Sequence, residues 1–284
     1  MRIQRSYFMI GLLLLVADAT PGLAQTAGPQ LRLGTGDRLG AATVLRHEPI
    51  FGVGPHTTWR GGWGVEVEIE SVGEETMLPV EVLYGVTEEL TVTAVLPFAT
   101  PAAGGDLGEV GLRAKWRFAT RFSPGQMDAL AILGGVAFPR STADGAPKGG
   151  AITMLGLAMG RESRRWYYFA GVRGIARLSD EGFDPGDRLA VNIAWGIRPR
   201  RTEYLAPDLV LLGEANGSAE GRSRVGEAFV GTSGGRRLSL APAVLFSIRN
   251  VMLKGGVNIP VWEDFNDPAR SAPTEIIAAV EVHW

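Results

Sequence analysis

The chain has 284 residues, 28 Lys+Arg against 30 Asp+Glu, a formal net charge of −2 and no cysteine. A balance this close to neutral argues against nucleic acid or another polyanion as partner, and the missing cysteines rule out a disulfide framework and a thiol-linked lipid anchor. Glycine is abundant (39) but scattered singly, so the composition is not that of a flexible linker.

The first element is an export signal. Arg2 and Arg5 form a positive start, residues 7–17 (YFMIGLLLLVA) an apolar run, and Gly22-Leu23-Ala24 a small-residue exit before Gln25. The run is shorter than the ~20 residues of a spanning helix, so residues 1–24 read as a cleaved signal peptide. No later apolar run reaches that length, and any membrane crossing must therefore be made by strands. Residues 25–58 lack sustained alternation and read as a periplasmic lead-in, with part of it able to pack in a pore. His47, Glu48 and His56 fall here, but their spacing matches no metal-ligand pattern. They are expected to be polar loop residues, and neither metal nor cofactor is expected.

From residue 59 to 284 the sequence beats in twos. Trp63, Val65, Val67 and Ile69 alternate with Gly64, Glu66, Glu68 and Glu70. Residues 77–84 put Leu78, Val80, Val82 and Tyr84 on one face and Glu81 on the other. Residues 90–98 set Leu90, Val92, Ala94, Leu96 and Phe98 against Thr91 and Thr93. The clearest strand is 110–118, with Val110, Leu112, Ala114, Trp116 and Phe118 on one side and Gly111, Arg113, Lys115 and Arg117 on the other. Further strands are expected at 127–138, 151–160, 166–176, 189–198, 208–217, 237–247, 251–261 and 274–284. Loops fall between them, the longest at 218–235, and another polar one at 262–273. A period of two is the strand period, and segments of about ten residues suit a tilted crossing of a bilayer.

Three regularities point to an all-β, antiparallel transmembrane β-barrel of about 12 strands rather than a soluble sandwich. Long and short connections mostly alternate, the brief first hairpin excepted. Aromatics gather at strand ends, with Tyr84, Trp116, Phe118, Trp166, Trp195 and Trp284 on one rim and Phe98, Phe138 and Trp262 on the other. An even strand number returns both termini to one side. The apolar faces then meet lipid, and the charged faces a wet lumen.

The motifs YGVTEELTVTAVLPF (84–98), GDLGEVGLRAKWRF (105–118), GEANG (213–217) and GGVNIPV (255–261) resemble a family of outer-membrane barrels known as transporters or by the label "MetA pathway of phenol degradation". The likeness covers roughly residues 59–284. It implies an outer-membrane location and a part in solute passage, and it supplies no catalytic residues. Trp284 resembles the terminal aromatic by which outer-membrane proteins are recognised for assembly. Expected partners are thus outer-membrane lipid and lipopolysaccharide, the assembly machinery and a small-molecule solute.

On the wet face, Glu66, Glu68, Glu70, Glu81, Glu275 and Glu281 make an acidic wall once the last strand closes on the first. Arg113, Lys115, Arg117, Arg173 and Arg198 make a basic one, and Glu214 and Lys254 also point inward. Two such walls set up a transverse field that orders small polar or zwitterionic solutes in a constriction. The alternatives are a lumen closed by pairing of these charges, and a port for hydrophobic or aromatic compounds along the small and apolar inner faces near 129–136 and 151–159. Enzymatic chemistry is disfavoured. Of three histidines, His47 and His56 precede the barrel and His283 sits beside Glu281 at one end, and no serine lies in a nucleophile-elbow pattern. Asp180, Glu181, Asp184 and Asp187 could bridge lipopolysaccharide through a divalent cation, but read more simply as a solvated loop.

Overall fold

The computed structural model describes residues 47–73, 75–99, 110–138, 150–179, 182–200 and 206–284. The signal peptide and residues 25–46 of the lead-in lie outside these, as do Asp180 and Glu181. The strands are β1 (Trp63–Val72), β2 (Glu75–Gly85), β3 (Leu90–Ala99), β4 (Val110–Ser123), β5 (Gln126–Phe138), β6 (Ile152–Ser163), β7 (Trp166–Arg177), β8 (Phe183–Asp184), β9 (Arg188–Ile197), β10 (Asp208–Glu220), β11 (Arg224–Val225), β12 (Ala228–Phe229), β13 (Gly235–Ile248), β14 (Val251–Phe265) and β15 (Glu275–His283). Twelve of them close into an antiparallel barrel in the order β1-β15-β14-β13-β10-β9-β7-β6-β5-β4-β3-β2. The short strands β8, β11 and β12 form a separate three-stranded sheet from the connections that follow β7 and β10.

Closure is carried by the β1–β15 ladder, from Gly64 opposite His283 to Val72 opposite Glu275. With no free edge, the backbone of every barrel strand finds its partners inside the ladder, as a hydrocarbon surrounding demands. Among the described residues no helix is long and apolar enough to cross a membrane.

The alternation fixes which face each residue takes. Leu112, Leu157, Met159, Val191, Ile193, Trp195, Leu211 and Val280 stand exposed on the outside. Their inward neighbours Ala158, Ala190, Ala194, Leu212 and Ala279 are buried. The aromatic rim at the short-turn end is present, with Trp63 packed on Tyr84 (4.7 Å between centroids) and Trp166 stacked on Trp195 (5.5 Å). Phe138 and Trp262 are exposed toward the other end.

Several boundaries differ from the sequence reading. β10 runs on to Glu220 and β14 to Phe265, so segments expected as loops extend the wall beyond the bilayer-sized core. Asp184 belongs to the short strand β8. Arg177 and Arg188, expected as the ends of a loop, are inward-facing strand residues. The pairing slips by one residue between Trp116 and Ala119 and again opposite Leu238 and Ser239. Each is a bulge, which restarts the inside–outside alternation and hides it from a strict count of two. The connection from Ile197 to Asp208 is a long one on the short-turn side, a second exception to the alternation.

Ile193 lies near the middle of β9 and is 60% exposed on the outer face. Ile193→Arg is expected to cost about 2–4 kcal/mol of stability in a phospholipid bilayer. Denaturant titration of the folded protein in liposomes measures it, and a change near zero would mean that this face does not meet acyl chains.

A plugged lumen as candidate functional site

The lead-in does not stop at the mouth of the barrel. Residues 47–58 turn back into the lumen and out again before residues 59–62 join β1, so both feet of this plug stand at the short-turn end. At one foot, His47 lies against Tyr167 and Ser247. At the other, Thr57 Oγ1 donates to the Glu88 carbonyl (2.7 Å) and the Thr58 N–H to Thr91 Oγ1 (2.7 Å). The tip reaches inner-face residues near the middle of the wall. Ile50 and Phe51 donate their N–H groups to Glu214 (2.6 and 3.2 Å), and the Val53 N–H reaches Asn192 Oδ1 (3.3 Å).

A loop inside a barrel has no strand partners, so each N–H needs an acceptor from the wall or from the loop itself. Glu48 supplies both kinds of support. One of its oxygens accepts the His56 N–H (2.7 Å), which ties the two arms of the plug together. Both oxygens accept from Lys115 Nζ (2.8 and 2.7 Å), which ties the plug to β4. Arg117, inward as its parity requires and buried, donates to the same Glu88 carbonyl that Thr57 uses (2.7 Å).

The wall is shaped to receive this segment. A Cβ at Gly160 would meet Pro55 Cδ at 2.9 Å, and one at Gly256 would meet Phe51 Cε2 at 2.7 Å. At Gly171 and Gly85 it would collide with Val53 Cγ2 and with the Trp59 carbonyl. Four strands therefore carry no side chain where the plug passes.

Around the plug the short-turn half of the lumen is closely packed. Tyr167, Phe169, Ala194, Val210, Leu212, Leu245 and Met252 form one buried cluster, with Ile50 of the plug packed on it. His47 and His56 are buried beside it rather than being solvated loop residues. His47 Nδ1 and His56 Nε2 lie 3.6 and 3.4 Å from the two oxygens of Glu162, and His47 Nε2 lies 3.7 Å from Asp208. Asp208 is also held by Arg198 through paired bonds of 2.7 and 2.5 Å, and the Arg198 guanidinium covers the Tyr167 ring at 5.3 Å.

The inward charges fall into two sets. One set is neutralised within the protein. Lys254 bridges Glu66 and Glu281 (2.9 and 2.6 Å), His283 Nε2 meets Glu281 at 2.5 Å, and Arg113 meets Glu81 at 3.0 Å. Lys115 and Glu214 are committed to the plug. The other set, among the described residues, has no ion pair: Glu68 and Glu70 on β1, and Arg173 on β7 with Arg177 and Arg188 beside it. In the closed strand order β1 and β7 stand half a turn apart, so these acids and arginines lie on opposite sides of the barrel. The basic wall is centred on β7 and β9, whereas the sequence reading placed most of it on β4. Glu48 was weighed from sequence only as a metal ligand, and Glu162, Asp208, Arg177, Arg188 and Arg237 were not singled out. Inward parity marks the wall residues among them once the strands are given their full length, but nothing in the sequence pairs Glu162 with histidines more than a hundred positions away.

No family model matches the chain, and no curated protein matches its sequence. Among solved structures, the COG4313 outer membrane channel from Pseudomonas putida F1 superposes with a TM-score of 0.65 at 10% identity, over 84% of this chain and 100% of that one. The NanC porin gives 0.49 at 6% identity, covering 78% of this chain and 98% of that one. OccAB2 of Acinetobacter baumannii gives 0.42 at 8%, covering 77% and 59%. The first of these likenesses is one of fold, and it defines the class: a closed barrel of the outer-membrane type.

Glu214→Ala would leave the N–H groups of Ile50 and Phe51 without an acceptor, a cost of about 1–3 kcal/mol borne by the seated plug. A Val53→Cys reporter, in a chain whose described residues hold no other cysteine, is expected to react with a maleimide about tenfold faster or more in that background. Equal labelling rates with and without Glu214 would show that this carboxylate does not hold the plug.

Proposed function

We propose that the protein is an outer-membrane barrel for passive or facilitated passage of small solutes through its charge-lined lumen. The observation that carries the reading is the split of that lumen. The half nearest the long connections keeps charged side chains open to water, with Arg113 47% exposed although it points inward. The half nearest the short turns is narrowed by residues 47–58. Twelve strands lie between the eight-strand barrels that side chains fill and the sixteen-strand porins that leave a wide channel. A vestibule leading to a constriction is what such a barrel with a seated plug provides.

Glu66, Glu68, Glu70, Glu81, Arg113, Arg173, Lys254 and Glu281 line the vestibule and its floor in this reading. Lys115, Arg117, Arg198 and Glu214 act at the constriction by holding the plug and its surroundings. Residues 1–24 are the cleaved export signal, and Trp284, exposed beyond the end of β15, is the assembly signal. The short-turn end faces the periplasm, with lipopolysaccharide meeting the other rim. The chain's likeness to the "MetA pathway of phenol degradation" barrels is part of the same proposal, and the superposable Pseudomonas channel supports it. Passage of hydrophobic compounds is less well supported, because the inward faces on the long-connection side of the plug carry Glu68, Glu70, Arg113 and Arg173.

Planar-bilayer recording tests the reading. The intact protein is expected to give small discrete single-channel currents, and a variant lacking residues 47–58 a larger unit conductance. Silence from both would remove solute passage from the account.

A further inference from the structure

The neutralised charges of the lumen leave a remainder that calls for an explanation. On β7 and β9, Ile175 is paired with Arg188, so Arg173 and Arg177 are the two diagonal neighbours of Arg188 on the same inner face. Like charges in such positions repel, and proteins tolerate them where something of the opposite sign is supplied. No ion pair among the described residues supplies it here. Among the described residues no carboxylate lies within ion-pair distance of any of the three, and the Nε of each is buried without a hydrogen-bond partner. The one carboxylate directly across from Arg188 is Glu220 on β10, and it is engaged by Arg270 at 3.0 Å. Arg237 on β13 adds a fourth inward cation, spending its Nε on Ser218 (3.3 Å). Arg113 acts on Arg173 from β4 but is matched by Glu81.

We infer that Arg173, Arg177 and Arg188 form a binding station for the carboxylate of a small organic acid on its way through the lumen. The inference rests on the passage reading above and names the substrate class that reading leaves open. Guanidinium forks from two adjacent strands suit the planar, two-oxygen geometry of a carboxylate, and their partial burial strengthens each charge-assisted bond. Bulk chloride or water satisfies such forks less completely. The opposite wall refines the choice. Glu70 and Glu275 sit diagonally across the β1–β15 seam, and Glu275 is near enough to act on Arg188. Glu275 is itself held by Asn258 Nδ2 (3.0 Å). Acid that carries a second negative charge at its far end meets these carboxylates, so a short monoanion or a zwitterion is accommodated better than a long dianion.

The test is binding to the purified full-length protein in detergent, read as the shift of the thermal unfolding midpoint, with glycine and acetate as probes that carry the carboxylate. Acetamide at equal concentration and sodium chloride at equal ionic strength are the controls. Acetate and glycine are expected to raise the midpoint saturably, acetamide and chloride not to. In Arg173→Gln/Arg188→Gln the apparent affinity is expected to fall about tenfold or more, the loss of one or two charge-assisted bonds. Without ligand that double variant is expected to be no less stable than the wild type at low salt, since it removes like-charge crowding. A merely structural role for the arginines would give the opposite sign. Should the double variant not fold, Arg173→Lys keeps the charge but not the fork and is expected to bind acetate with intermediate affinity. A shift matched by chloride, or one unchanged in the variants, overturns the station. Binding without single-channel current would remove the passage reading and leave the station standing, while current without saturable binding would do the reverse.

Discussion

The structure depends on closing one ladder. A strand in hydrocarbon cannot leave its N–H and C=O groups bare, and a sheet with edges would do so. Pairing β1 with β15 removes the last two edges, and in doing so it decides the chemistry of the interior. It sets Glu66 opposite Glu281, two carboxylates that repel unless a cation joins them. Lys254 from the adjoining β14 is that cation. The seam and the triad are therefore one feature, since the charges are tolerable only with the barrel shut and the lysine in place.

The same requirement governs the plug. A polar segment inside a narrow barrel must be given acceptors by the wall, and Glu214, Asn192, Thr91 and the Glu88 carbonyl provide them. Glycines on four strands provide the room. Side chains that sequence reasoning assigns wholesale to a water-filled pore thus divide by height. Those near the short turns build a buried socket, and those toward the long connections, such as Arg113, stay partly exposed. In the proposed function this division makes the lumen a vestibule above a constriction rather than a uniform tube.

Much of the barrel was legible in the sequence because strand periodicity in a membrane barrel is unusually clean. Each outward position from Trp63 to Ile69, or from Leu189 to Ile197, must satisfy lipid, and each inward one must not. The reading failed where that rule is suspended. Beyond the bilayer core, at Ser218–Glu220 of β10 or Trp262–Phe265 of β14, outward residues no longer need to be apolar, so strand passed for loop. At the bulge after Trp116 the beat itself changes. The plug had no period at all. His47 and His56 look like loop residues because nothing local tells a solvated segment from one folded back inside a barrel. Their partner Glu162 is recognisable only from the register that brings β6 and β7 together. The arginines missed at 177 and 188 were lost to strand ends drawn too short.

One consequence lies in the tether. Only residues 59–62 separate the plug from β1, so it acts as a ligand covalently leashed to its own receptor, at a local concentration on the order of millimolar. Weak anchors then suffice to keep it home, and a plug that slips its hold rebinds rather than wandering off. Any molecule competing for the same space does so against a rival that never dilutes.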